Sequence, residues 1–151
     1  MALLKFLANR VHLARNLSSS DWLSLFEAWW ILLGFHLALR WVSYERLQNL
    51  APTAKSEFVD PVGLFSVARK YHTLVAWASR LHVLPMTCLV RSLTLQRMLS
   101  RRRMPAKAYI GVKKTADGIQ AHSWVEVAGE QIGEGQDVAD RFAVLQSRAG
   151  Y

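Results

Sequence analysis

The chain changes its hydrophobic period once, at residue 106, and this change constrains the fold more than any other feature. Up to about Arg103 the apolar residues recur at helical spacing, whereas Ala106, Ala108, Ile110 and Val112 alternate with other residues as in a strand. An Asp-Gly pair then marks a hairpin turn before a second alternating run. The pattern predicts an α+β fold, in which N-terminal helices precede a helix packed on a small antiparallel sheet.

The composition is that of a chain that can bury a core without disulfides. Its 151 residues are 52% hydrophobic and 20% charged, which excludes intrinsic disorder. The one cysteine cannot form an internal disulfide, so nothing in the sequence demands an oxidising compartment, and we expect a cytoplasmic protein.

Positive charge is concentrated in the middle of the chain. The formal net charge is +8, and residues 51–105 contain nine Lys or Arg against two Asp or Glu. The centre of this charge is the group Arg97, Arg101, Arg102 and Arg103, which suits a solvated helix end. An acidic peptide and an anionic membrane surface stay open as partners. Nucleic acid ranks below them, because no nucleic-acid-binding motif accompanies the basic residues.

The N-terminal third is predicted to be helical. Residues 1–15 have the spacing of a short amphipathic helix, and a second helix begins at residues 18–21 and runs to about Asn49. Its uncharged centre is twelve residues long, whereas a membrane span needs about 20, so a core or partner-docking helix is favoured. Association with the surface of the inner membrane stays open. Trp29 and Trp30 are candidate partner contacts on this helix.

A proline-containing linker follows this helix. Residues 50–56 divide 1–50, a predicted helical subdomain, from 51–151, the predicted catalytic core. An Asp-Pro pair then starts another helix. His72 and His82 lie on this helix or near its exit and are assigned structural roles, because no second type of metal ligand lies nearby.

Cys88 is the only thiol in the chain and follows a helix-start signal. Thr87 is a predicted N-cap, which places Cys88 in the first turn of a helix that runs to about Arg103. The free amides at a helix start favour a thiolate over a thiol, and the Cys88 amide is a candidate donor to a developing oxyanion. The alternative is that Cys88 is a small residue at a helix–sheet contact.

His122 and Glu134 are the candidate base and orienting acid. If the turn after the second strand has three residues and ends in Gly129, Glu126 lies opposite Glu130 and His122 opposite Glu134. Opposed side chains have Cβ atoms about 5 Å apart, which permits a carboxylate–imidazole hydrogen bond. The acidic residues that stay open as alternatives to Glu134 are Glu126, Asp137 and Asp140.

Three motifs in combination resemble a known family. The chain contains Pro-x-x-Cys88-Leu-x-Arg91-Ser-Leu, then Ala-His122-Ser-Trp124-Val-Glu-Val, then Gly-Glu-x-Ile-Gly-Glu134. Together they resemble the transglutaminase-like leader peptidases of lasso peptide biosynthesis, which are cysteine proteases. The resemblance implies a papain/transglutaminase-like core with Cys88 as nucleophile, His122 as base and Glu134 as the third member. Arg91 and Trp124 are further candidates for substrate contacts.

The resemblance also implies a substrate and partners. Similar proteins cut the leader from a ribosomally made precursor peptide, and a cyclase similar to asparagine synthetase then takes the core peptide. Residues 1–50 are too short for the winged-helix recognition module of fused relatives, which implies a separate leader-recognition protein. No cofactor or metal is expected, and Glu134 stands where such proteins more often have Asp. The alternatives are another transglutaminase-like acyl transferase or amidase, or a non-enzymatic adaptor.

Overall fold

A computed structural model describes residues 18–49, 61–133 and 141–145. These residues form four helices and four strands. The helices are α1 (Ser19–Ala38), α2 (Tyr44–Asn49), α3 (Pro61–Leu81) and α4 (Cys88–Ser100), and the strands are β1 (Ala106–Thr115), β2 (Gly118–Val127), β3 (Glu130–Gln131) and β4 (Ala143–Val144). The strands form one antiparallel sheet in the order β3-β2-β1-β4. The predicted α+β class, with the cysteine-bearing helix on a small sheet, is confirmed.

Helix α1 begins as the sequence predicts and ends earlier. Ser18 is the N-cap, and a capping box joins it reciprocally to Asp21. The helix stops at Ala38, so the predicted continuous helix to Asn49 is wrong. A turn separates α1 from α2, and after it Leu47 is buried in the core. The break has no Pro or Gly, so core contacts made by α2 outweigh local propensity here.

Helix α4 is the centre of the core. Helices α1 and α3 pack against it, as does the inner face of the sheet. Because α4 is covered on several sides, it buries polar side chains that need partners, and the Gln96 side-chain oxygen accepts a hydrogen bond from the Ala108 amide at 2.9 Å. The largest fully buried side chains on or around α4 are Leu32, Leu47, Val90, Leu93, Met98, Leu99 and Met104.

The long β1–β2 hairpin has two differently packed faces. Ala108 and Val125 pair and belong to the main core, on the inner face. Tyr109 and Trp124 pair on the outer face, where Phe142 completes a second, smaller apolar cluster. Gly111 makes this cluster possible, since a Cβ there would lie 2.7 Å from the Phe142 Cβ and 2.8 Å from the Trp124 ring. Next to this cluster, Ala143 and Val144 form strand β4, which pairs with the edge of β1 at Gly111 and Val112.

The turn between β2 and β3 differs from the predicted one. Glu126 pairs with Gln131 rather than with Glu130, so the turn has two residues and the predicted register is wrong by one. The three-residue turn on which the predicted opposition of His122 and Glu134 depended is therefore not formed, and the register gives that pairing no support. Ala128 and Gly129 have φ values of 51° and 86°, the pattern of a type I′ hairpin turn. That turn matches the twist of the strands and tolerates one non-glycine residue in the left-handed region. One more backbone hydrogen bond in this register follows, from the Ile132 amide to the Val125 carbonyl at 2.9 Å, and the chain bends at 132–133.

Several predictions fall outside the described residues. They concern the helix at 1–15, the linker at 50–56, and the acidic residues Glu134, Asp137 and Asp140. The division at residue 50 stays a prediction. Among the helices that are described, none has the combination of length and hydropathy that a membrane crossing requires.

Candidate active site

The start of helix α4 has the predicted cap. Thr87 has extended backbone angles (φ −70°, ψ 163°), and its hydroxyl accepts a hydrogen bond from the Val90 amide at 3.4 Å. Cys88 is therefore the first residue of the helix, with its amide among those that have no partner within a helix. The positive end of the helix dipole therefore lies at the backbone of Cys88.

Cys88 is half-buried at the wall of an open cleft. This Cys88 cleft lies where α3, α4 and the end of β2 meet. Its lining residues are His72, Val75, Cys88, Arg91, Ser92, Leu95, His122, Ser123, Trp124, Val125 and Ile132. The structure thus brings Cys88 and His122, which are 34 positions apart in sequence, to one cavity.

Aromatic side chains surround His122 on the outer face of the sheet. Its cross-strand neighbour is Gly111, which presents no side chain. The Trp124 ring is stacked with the imidazole at a centroid distance of 6.5 Å, and the Phe142 ring lies at 5.4 Å. The cleft lining includes His122, Ser123, Trp124 and Val125, so residues from both faces of β2 reach it.

Trp124 separates His122 from one of the alternative acids. The indole N–H donates to a Glu126 carboxylate oxygen at 3.0 Å. His122, Trp124 and Glu126 follow one another along one strand face, so Glu126 is held on the far side of the indole from the imidazole.

Two tyrosines close to this strand have raised pKa values. Burial, and secondly the charge of Glu126, raise the pKa of the Tyr109 hydroxyl. Burial, and then Tyr109, raise the pKa of Tyr44 to about 12, so both phenols stay neutral at physiological pH.

The remaining predicted contact residues lie in two places. Arg91 is half-buried and lines the Cys88 cleft, one turn along α4 from the thiol. Trp29 and Trp30 lie on α1 and do not line this cleft. Trp29 stacks on His82 at a centroid distance of 4.4 Å, whereas Trp30 is 53% exposed. Burial, and then His36, lower the pKa of His82.

His72 is the cleft residue whose position sequence reasoning missed. It was assigned a structural role, yet it lines the Cys88 cleft together with Val75, three residues along α3. Val75 belongs to the apolar face of α3, and His72 lies three residues before it. This spacing is the signal in the sequence that places His72 on the same face of the helix. Nothing local indicates that this face of α3 meets Cys88. Among the residues that can be described, no group of three or more His, Cys, Asp or Glu is arranged to hold a metal ion.

Comparison with known proteins identifies the family. Residues 29–147 match the model of the Transglutaminase-like superfamily, and this segment includes α4, the hairpin and the Cys88 cleft. The chain belongs to the transglutaminase-like superfamily. It is also similar to the Microcin J25-processing protein McjB of Escherichia coli, with 34% identity over 65 residues. That alignment covers 43% of this chain and 30% of McjB, so the chain matches under a third of the relative's length. No solved structure matches the chain.

Proposed function

We propose that this protein is a cysteine peptidase that removes the leader from a lasso precursor peptide. Cys88 is the nucleophile and His122 the general base. Glu134 is the proposed acid that orients the imidazole, and this role rests on the Gly-Glu-x-Ile-Gly-Glu134 motif alone, because the observed turn does not support its place opposite His122. The observation that carries the proposal is the position of Cys88, at the start of a capped helix and in one cleft with His122. A thiol at a helix start and an imidazole in the same cavity are the two parts that nucleophilic acyl transfer needs.

The comparisons support the same reading. The superfamily match covers the segment with Cys88 and His122. The partial relative is named as a processing protein for microcin J25, which supports peptide maturation over other acyl-transfer reactions. Since the alignment spans only 30% of that relative, the substrate and partners of this chain are part of the proposal.

The mechanism follows from the chemistry of the thiol–imidazole pair. His122 takes the proton of Cys88, and the thiolate attacks the scissile carbonyl to form a C–S bond. The π electrons move to the carbonyl oxygen, which the Cys88 amide stabilises. When this intermediate collapses, the C–N bond breaks and the imidazolium protonates the leaving amine. Water, deprotonated by His122, then hydrolyses the thioester and releases the leader.

Incubation with a leader–core precursor and its recognition protein tests the proposal. We expect cleavage at one bond by the wild type and none by Cys88→Ala. Because Cys88 is the only cysteine, alkylation by iodoacetamide reports on it alone, and we expect reaction at pH 6, where an ordinary thiol scarcely reacts. Retained cleavage by Cys88→Ala would exclude the mechanism.

His36 provides a matched control for the base. His122→Asn removes an imidazole from the Cys88 cleft, whereas His36→Asn removes one from α1, away from the cleft-lining residues. We expect His122→Asn to lose cleavage by at least about 10²-fold, the usual contribution of a general base, and His36→Asn to cleave at the wild-type rate. Equal losses in both variants would contradict the assignment of His122.

The superfamily membership supports a second candidate, acyl transfer to an amine rather than to water. The same acyl-enzyme would form, and a primary amine would then take the place of water. Incorporation of a labelled amine into a glutamine peptide, without leader cleavage, would favour this reaction. A thiol that is unreactive at pH 6 would favour the third possibility, a non-enzymatic adaptor.

The leader-recognition protein is proposed to bind α1. Trp22, Phe26 and Trp30 recur every four residues along this helix, and their exposed fractions are 52%, 63% and 53%. This α1 stripe does not line the Cys88 cleft, so a partner bound to it leaves the cleft open. The cyclase would act afterwards, on the released core peptide. A large exposed apolar face is typical of a surface that another protein covers.

Replacing the three stripe residues by serine tests this surface. We expect the triple variant to lose measurable affinity for the recognition protein in titration calorimetry, while Cys88 alkylation stays at the wild-type rate. Val62→Ser is the control, because Val62 is equally apolar and 78% exposed but lies on α3. Wild-type affinity in the triple variant would exclude α1 as the docking surface.

A further inference from the structure

We propose that Arg91 determines the specificity of the Cys88 cleft by binding a carboxylate of the substrate peptide, on a residue beside the bond that is cut. This inference rests on the proposed acyl-transfer function and names the class of side chain that the substrate carries. Its basis is the charge of the cleft: the lining includes Arg91, and no Asp or Glu occurs among the described residues that form it. A guanidinium that loses part of its hydration in a cleft is stabilised by an anion, and the bound peptide can supply one.

Helix α4 places Arg91 one turn from Cys88. The two residues are three positions apart, and side chains with this spacing lie on one face of a helix with Cβ atoms about 5–6 Å apart. Both residues line the Cys88 cleft. The Arg91 amide donates a hydrogen bond to the Thr87 carbonyl at 3.1 Å, so the backbone at this position belongs to the capped first turn. The long side chain of Arg91 therefore starts from a fixed point beside the nucleophile.

The chain offers Arg91 no counter-charge within residues 18–49, 61–133 and 141–145, since none of the ion pairs there includes it. The acidic side chains that are engaged in this part of the chain have other partners: Asp21 pairs with Lys70, Glu27 with Arg101 and Arg102, and Glu126 with the Trp124 indole. Helix stability does not explain the arginine either, because the dipole at a helix start favours anions over cations. A carboxylate of the ligand accounts for a cation at this position.

The chemistry of the guanidinium restricts what it binds. It recognises a carboxylate through two parallel N–H···O hydrogen bonds, a geometry that a carboxamide does not reproduce. An extended peptide advances about 3.3–3.6 Å per residue, so positions within about two residues of the scissile bond are in reach of a side chain that starts about 5–6 Å from the nucleophilic residue. The substrate class is therefore a peptide with Asp or Glu beside the cut.

Two alkylating reagents test this anion site without a peptide. Iodoacetate and iodoacetamide react at the same carbon, where the thiolate displaces iodide, and they differ only in a carboxylate against a carboxamide. Because Cys88 is the only cysteine, intact mass gives the rate for this thiol alone. We expect the ratio of the iodoacetate rate to the iodoacetamide rate to be at least about tenfold higher in the wild type than in Arg91→Gln, as for one hydrogen bond to a charged group. Both reagents react with the same thiolate, so a change in its amount cancels in the ratio.

Two further variants separate the site from net charge. Arg91→Lys keeps the charge and loses the two-pronged geometry, so its ratio should lie between those of the wild type and Arg91→Gln. Arg97→Gln removes the same charge from the same helix, but Arg97 does not line the cleft, and we expect its ratio to stay within about twofold of the wild type. Equal ratios in the wild type and Arg91→Gln, or an equal fall in Arg97→Gln, would overturn the proposal.

The precursor peptide provides the second test, once mass spectrometry has located the bond that is cut. Replacing an Asp or Glu within two residues of that bond by Asn or Gln should lower kcat/KM about tenfold in the wild type and less than about twofold in Arg91→Gln. A precursor that is cut without Asp or Glu at these positions would overturn the role of Arg91 and leave the peptidase function standing. If the precursor is not cut but the preference for iodoacetate depends on Arg91, the peptidase function fails and the anion site stands.

Discussion

The contact between His72 and Gly133 predicts an unequal cost for two otherwise similar glycine substitutions. Gly129 and Gly133 both have a left-handed backbone, with φ values of 86° and 80°. An alanine at either position therefore carries about 1–2 kcal/mol of backbone strain. A Cβ at Gly129 meets no atom within 4 Å, whereas a Cβ at Gly133 overlaps with the His72 ring. Gly129→Ala is thus the matched control for Gly133→Ala.

The overlap adds to the cost at Gly133 alone. Forcing a methyl group into a filled space typically costs about 1–3 kcal/mol, because side chains or backbone must move. We therefore expect the free energy of unfolding to fall by about 2–5 kcal/mol in Gly133→Ala and by about 1–2 kcal/mol in Gly129→Ala. Urea unfolding followed by tryptophan fluorescence measures both, and the m-value should not change.

A double-mutant cycle isolates the contact from the strain. In a His72→Ala background the ring is absent, so Gly133→Ala should cost only the backbone strain that Gly129→Ala carries. The coupling free energy between positions 72 and 133 is expected to be about 1–3 kcal/mol. Equal losses in the two glycine variants, or a coupling below about 0.5 kcal/mol, would refute the reasoning about this contact.

Three further substitutions test the frame of the site, all by urea unfolding. Thr87→Ala should lower the free energy of unfolding by about 1 kcal/mol, because it removes the N-cap of α4, and Thr87→Ser should not. Gln96→Leu should lower it by about 1–3 kcal/mol, because it removes the buried acceptor of the Ala108 amide; no loss would show that this bond is not needed. Glu27→Gln weakens the partly exposed ion pairs of Glu27 with Arg101 and Arg102, so the loss should be under about 1 kcal/mol for each pair and should shrink in high salt. A larger effect that salt does not change would contradict this.

The start of α4 shows how much of the site local sequence predicts. The Thr87 cap and the position of Cys88 as first helical residue follow from a helix-start signal of a few residues, and the structure confirms both. The β1–β2 hairpin and the strand that carries His122 follow from alternation and a turn signal in the same way. Such signals depend on residues that are close in sequence, so they can be recognised without knowing how the rest of the chain packs.

Other features were decided by contacts between distant segments. Helix α1 ends at Ala38, and the short helix α2 that follows places Leu47 in the core. No Pro or Gly in the sequence between the two helices indicates this break. The two-residue turn after β2 uses a left-handed Ala128, which propensity disfavours and which shifts the expected register by one. The sequence thus predicted the strand of His122 but not the pairing that follows it, because register depends on the geometry of the turn.

The sequence by itself determined the class of fold, the capped cysteine helix and the identity of four residues that line the cleft, Cys88, Arg91, His122 and Trp124. Only the tertiary structure placed His72 in the Cys88 cleft. Helix α3 packs against α4 through apolar residues, and their pattern does not indicate which residues of α4 or β2 lie next to His72. Helical periodicity specifies which face of α3 is buried, but the partner of each position on that face is set by the packing of whole elements. The cavity that collects Cys88, His122 and His72 is a product of that packing.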